Sequence, residues 1–174
     1  LPGAPKILRT ACRFIPLGLQ REETIKVEVN LNESTSLCPL GDVALDVLDD
    51  EGEHVRFMAR SYDINELLGT KMRALMQRQQ GRDLFDLAHA WQLSEAGTTS
   101  HAVDSARVMQ AFSWYRDREG AKITAMLAHA RLDSHLGKAA FRSDMDTLLR
   151  PDLPAFDVDQ AARVIREAHF DHLP

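Results

Sequence analysis

The chain predicts an α+β fold: a small antiparallel or mixed strand-rich portion, then a helical lobe. Two observations carry this. Through residues 1–61, apolar and polar residues alternate with the period of two that a half-buried strand requires. Through residues 62–174, apolar residues recur at the three-to-four spacing that makes one helix face. The domain organisation follows, with 1–61 as the strand-rich portion and 62–174 as the helical lobe.

Leu8, Thr10, Cys12 and Phe14 alternate with Arg9, Ala11 and Arg13, and Pro16 and Gly18 end that first strand. The segment 24–31, TIKVEVNL, is the cleanest strand: Ile25, Val27, Val29 and Leu31 point one way, Lys26, Glu28 and Asn30 the other. Val43, Leu45 and Val47 then run out to a turn at Asp49-Asp50-Glu51-Gly52. Val55, Phe57 and Ala59 run back, so 43–60 reads as a β-hairpin. Glu28 has two readings. It is a solvent-facing strand glutamate paired with Lys26 or a cross-strand Arg, or it is a functional carboxylate.

From Ile64 a helix begins whose apolar stripe is Ile64, Leu67, Leu68, Met72, Leu75 and Met76. Glu66, Thr70, Arg73 and Gln77 take the far side, where solvent is expected. Lys71 and Arg78 fall inside the stripe, one heptad apart. Two cations on a buried line either snorkel, with stems buried and heads in water, or require an anion. Gly81 breaks the helix, by a positive φ or a sharp turn. Asp83 then suits the N-cap of a second helix whose apolar face is Leu84, Leu87, Ala88 and Trp91. Asp83 and Asp86 share a face there. They serve as caps on the helix dipole, or with Lys71 and Arg78 they form an anion- and metal-handling set.

The remainder is helical. Patterns cover about 101–118 (Val108, Phe112, Tyr115), 122–135 (Met126, Leu127, Ala130) and a shorter 141–149 that stops at Pro151. A last helix opens at Phe156-Asp157 and carries Ala161, Ala162, Val164, Ile165 and Ala168. Asp144-Met-Asp146 and Asp157-Val-Asp159 are D-x-D strings in helical surroundings, better explained as helix-start aspartates than as metal ligands. His169-x-x-His172 lacks a third ligand nearby and reads as a frayed basic terminus.

At 174 residues a single domain is the default, with two small lobes allowed. A net charge of -5 argues against a broad nucleic-acid footprint and leaves room for a local basic groove. Cys12 and Cys38 have no metal-type spacing and fit a reducing cytoplasm without disulfides. No apolar run reaches membrane-spanning length and no signal peptide is visible, so a cytoplasmic protein without a membrane partner is expected. The chain opens at Leu1 rather than Met, as an excerpt or a processed product would.

The string ELLGTKMRALMQRQQGRDLFDL, residues 66–87, resembles the nucleotidyltransferase toxins of the AbiEii/AbiGii type, the toxin halves of type IV toxin–antitoxin and abortive-infection systems. The shared residues are Glu66-Leu67, Lys71, Ala74-Leu75, Arg78, Arg82-Asp83 and Asp86-Leu87, and 141–149 is similar to the family's tail. The resemblance implies a partial nucleotidyltransferase-like fold. It implies transfer of a nucleoside monophosphate from an NTP to an acceptor such as a tRNA or a protein hydroxyl, with Mg2+ in the complete protein and a cognate antitoxin as partner. Lys71, Arg78 and Arg82 become nucleotide-binding residues, with bracing of Asp83 as the alternative role of Arg82. Glu28, Lys71, Asp83 and Asp86 become the catalytic set, Glu28 as the third carboxylate on its hydrophobic-acid-hydrophobic strand. Glu28, Lys71 and Asp86 should then converge on one concavity. The family's first motif, a Gly-Gly or Gly-Ser turn followed by D-x-D on a strand, has no match in 1–60. The chain therefore looks like the C-terminal two-thirds of such a protein and is expected to be inactive alone. The alternative is a non-catalytic helical interaction or regulatory module, with the Lys/Arg/Asp set as a buried structural network.

Overall fold

The computed structural model describes residues 7–16, 18, 20–31, 35–49, 51–99, 102–120, 122–150, 152 and 154–173. Among them the order is β1 (Ile7–Phe14), β2 (Glu23–Asn30), β3 (Gly41–Leu48), β4 (His54–Ser61), α1 (Ile64–Gln77), α2 (Gly81–Glu95), α3 (Ser105–Arg118), α4 (Ala125–Leu136), α5 (Ala139–Arg142) and α6 (Val158–His169). A 3-10 turn, Phe170–His172, follows. The class is α+β. Asp50, His101 and Pro151, read above as a turn residue, a helix start and a stop, lie outside the described residues. Compactness divides the chain into Leu1–Ser36 and Leu37–Pro174, whereas the boundary drawn at 61 from sequence follows element type.

In the first unit β1 and β2 pair antiparallel. Leu8 faces Val29, Thr10 faces Val27 and Cys12 faces Ile25, while Arg9 faces Glu28 and Ala11 faces Lys26. Directly opposed residues share a face, so the alternation seen in each strand combines into one apolar and one polar side.

In the second unit β3 and β4 form the expected hairpin, with Val43 opposite Ala59, Leu45 opposite Phe57 and Val47 opposite Val55. Its turn is held by Asp49, whose carboxylate accepts the backbone N–H groups of Glu51 and Glu53 at 3.0 and 2.8 Å. Gly52 sits there at φ 82°, a conformation open to glycine.

The helices begin at side-chain caps: Asp63 for α1, Asp104 for α3, Thr124 for α4 and Asp157 for α6. The core joins Leu68, Met72 and Leu75 of α1 to Leu84 and Leu87 of α2, Phe112 of α3, Leu132 of α4 and Ile165 of α6. Phe141 and Phe170 are buried with them.

A one-faced α1 is the main expectation that fails. At Gly69, an added Cβ would lie 2.7 Å from Ala111 Cβ and 2.9 Å from Val108 O, so α1 and α3 touch nearly backbone to backbone. The side assigned to solvent therefore faces α3. Glu66 is 1% exposed, and the Arg73 side chain is mostly buried. Gln77 does reach solvent and donates to Glu119 at 2.9 Å. The 141–149 helix also shortens: four residues are helical, and 143–148 continue as turns.

His169 is not frayed. It is completely buried, its Nδ1 lies 2.6 Å from Ser105 Oγ, and its ring meets Trp91 edge-to-face. Loss of solvation, then the His172 charge, lowers its pKa to about 4. No described helix is long and apolar enough to cross a membrane.

Candidate functional site

The Lys/Arg/Asp set assembles where α1 ends and α2 begins. α1 stops at Gln77, and Arg78 turns into extended backbone at φ -125°, ψ 157°. Arg78 is thus not on the helix, and its heptad relation to Lys71 is not realised. The sharp turn occupies 78–80, and Gly81 is already the first residue of α2, without a positive φ. Glycine is needed there for packing, since a Cβ would lie 2.2 Å from the Phe141 carbonyl oxygen. Asp83 is correspondingly in the first turn of α2 rather than at its N-cap, which is Gln80.

Asp83 is 0% exposed, and Arg78 grips it as a fork: Nε to Oδ2 at 2.8 Å and Nη2 to Oδ1 at 2.7 Å. Lys71 Nζ lies 3.8 Å from the same Oδ1 and 2.6 Å from Asp86 Oδ2. The two cations converge on one carboxylate oxygen. They are not sealed: the side chains of Lys71, Asp86 and Arg78 keep 38%, 40% and 50% exposure. The expected buried cationic line is therefore a half-exposed one with a buried anion behind it. The hydrogen bond to Asp83 raises the Arg78 pKa, burial opposes, and the charges of Asp83, Asp86 and Asp144 add to the rise.

Arg82 is placed differently from expectation. Bracing of Asp83 falls to Arg78, and the Arg82 contribution is its backbone N–H, which donates to Asp144 Oδ2 at 3.0 Å. Asp144, set aside above as a helix-start aspartate, therefore caps α2 from 62 residues away. Glu28 lies on β2 in the first unit. Its Oε1 accepts from Arg9 Nε at 2.7 Å across the strand pair, with both side chains more than half exposed. That matches the cross-strand pairing expected of a surface strand glutamate.

Sequence reasoning missed Glu66. Its carboxylate accepts the backbone N–H groups of Leu37 and Cys38, both at 2.8 Å, and the Tyr115 hydroxyl at 2.7 Å. It ties the chain entering β3 to α1 and α3. The available signal was its place at the head of the 66–87 motif.

A magnesium cage is a separate question of donors. Both Asp83 oxygens are engaged by Arg78 and an Asp86 oxygen by Lys71. Among the described residues no three His, Cys, Asp or Glu side chains are grouped to hold a metal. The described donors do not fit a magnesium site.

The chain matches the family model described as nucleotidyl transferase AbiEii toxin, type IV TA system, over residues 6–164. No curated protein matches it, and no solved structure does. With nearly the whole chain inside that match, and the Lys71–Asp86 and Arg78–Asp83 pairs formed within it, the chain belongs to the AbiEii nucleotidyltransferase toxin family of type IV toxin–antitoxin systems.

Proposed function

We propose that the Lys71/Arg78 set is the triphosphate-holding part of a nucleotidyltransferase that moves a nucleoside monophosphate from an NTP to an acceptor hydroxyl. A tRNA 3′ end is the first acceptor to test and a protein hydroxyl the second. The observation that carries this is the pair of half-exposed cations sharing one buried carboxylate oxygen, Asp83 Oδ1. Two of Arg78's five N–H donors are spent on Asp83, which leaves three for phosphate oxygens on an already oriented fork. Lys71 supplies a point charge, oriented by Asp86 until a phosphate replaces that carboxylate. Fixed positive charge at a transferring phosphoryl group is the main lever such catalysis has. Glu28 is the proposed third carboxylate, held at rest by an exposed Arg9 pair weak enough to exchange. A cytoplasmic site of action belongs to the same proposal, with the cognate antitoxin that the family implies as its biological counterpart.

The interaction-module reading keeps part of the set. Asp83 is fully buried and gripped by Arg78, which is what a structural network needs. The division we adopt makes Arg78–Asp83 both brace and ligand, and Lys71–Asp86 the exchangeable pair. Titration of the chain with radiolabelled NTP tests it. Saturable binding that weakens at least tenfold in Lys71→Met supports the reading. Binding untouched by that change contradicts it.

A further inference from the structure

Away from the Lys71 set, α2 and α6 leave a cleft between their outward ridges. One end, about 640 Å³, is lined by Trp91, Glu95, Val164 and Glu167. The adjoining end, about 340 Å³, is lined by Phe85, Ala88, Leu149 and Phe156. Gln92 and Gln160 line both, so the two ends are continuous. Along α2 the cleft runs from Phe85 to Glu95, about 15 Å at 1.5 Å per residue. That is the reach of a helix of roughly ten residues.

The chemistry of the two ends differs. Glu95 and Glu167 are exposed, and neither has a hydrogen-bond or ion-pair partner among the described residues. Arg163, one turn before Glu167 on α6, makes no ion pair with it among the described residues, and its charge lowers the Asp159 pKa. Trp91 lines the same end, braced edge-to-face by buried His169, which Ser105 holds. Two free carboxylates beside an indole suit an alkylammonium or guanidinium head, by charge and by cation–π attraction. The other end is shaped for an apolar side chain. Phe85 stacks on His89 at 5.3 Å and meets Phe156 edge-on at 5.2 Å, so its rings are already ordered.

We infer that this cleft docks a cationic amphipathic helix of a partner protein, with its Lys or Arg between Glu95 and Glu167 and an apolar side chain two turns away against Phe85 and Phe156. The commitment to a cationic partner rests on the unpaired acidic rim. The site does not depend on the Lys71 assignment.

The probe is a synthetic peptide helix of about 14 residues with Leu and Arg seven positions apart on an Ala/Gln background. A matched peptide carries Glu in place of that Arg. Trp114→Phe removes the chain's second tryptophan, so fluorescence reports Trp91 alone. A saturable change is expected with the Arg peptide, at least tenfold weaker with the Glu peptide. Glu95→Gln/Glu167→Gln should weaken the Arg peptide at least tenfold with an unchanged circular dichroism spectrum. Lys71→Met should leave it unaffected, which separates this site from the proposed triphosphate site. No saturable change at millimolar peptide, equal affinity for both peptides, or no effect of the double substitution would overturn the inference. So would sedimentation showing that a second copy of the chain already occupies the cleft.

Discussion

Arg78 holds Asp83 through two hydrogen bonds, 2.8 and 2.7 Å, while Asp83 itself has no solvent exposure. Removing one partner strands a buried carboxylate. Arg78→Met should therefore destabilise the chain by about 2–4 kcal/mol, below the top of the range for buried pairs because the guanidinium side is half open. Arg78→Met/Asp83→Leu should recover most of that loss, since two apolar groups replace a desolvated pair. A denaturant-melt double-mutant cycle checks this; additive losses would show that the pair is not the stabilising unit.

Gly81→Ala should destabilise although alanine is the better helix former by about 1 kcal/mol. The new Cβ would lie 2.2 Å from the Phe141 carbonyl oxygen, a backbone atom that cannot rotate away. A loss of about 1–3 kcal/mol is expected for such overpacking. A rise in Tm would mean that α2 and the 141–144 turn can separate at no cost.

Glu66→Gln should cost about 1–3 kcal/mol, because one carboxylate oxygen becomes a donor facing N–H and O–H donors. Amide exchange at Leu37 and Cys38 should accelerate with it. Unchanged exchange there would show that the loop is fixed by other contacts.

The buried His169 gives a pH dependence. Burial lowers its pKa from 6.5 to about 4, so between those values the unfolded chain binds more protons than the folded one. Its contribution is complete above pH 6.5 and lost as pH falls toward 4. The shift corresponds to about 3 kcal/mol. His135, pushed down mainly by burial and partly offset by its hydrogen bond to the Leu75 carbonyl, adds in the same direction. Melts from pH 7 to pH 4 should show a shallower slope for His169→Gln than for the parent. Parallel slopes would exclude His169 as the titrating group.

What the sequence disclosed, and what it did not, divides by range. The strands from 7–14 to 54–61 could be read because alternation is local, and Asp157, read at the opening of the last helix, caps α6. Lys71 and Asp86 could be paired because their motif spans few residues. Glu66 was misplaced because helical periodicity describes one buried face, whereas α3 packs on the second face through Gly69. The Gly81 requirement and the Asp144 cap depend on a turn some sixty residues onward, which no local pattern encodes.

The central claim is that the Lys71 ammonium is there for a ligand rather than for the fold. It meets Asp86 at 2.6 Å with both side chains well exposed, a geometry worth at most about 1 kcal/mol. The most direct measurement is a thermal melt of Lys71→Met beside a growth assay of cells expressing the toxin with the same change. The account predicts a Tm within a few degrees of the parent and loss of toxicity. A large fall in Tm with toxicity retained at permissive temperature would contradict it.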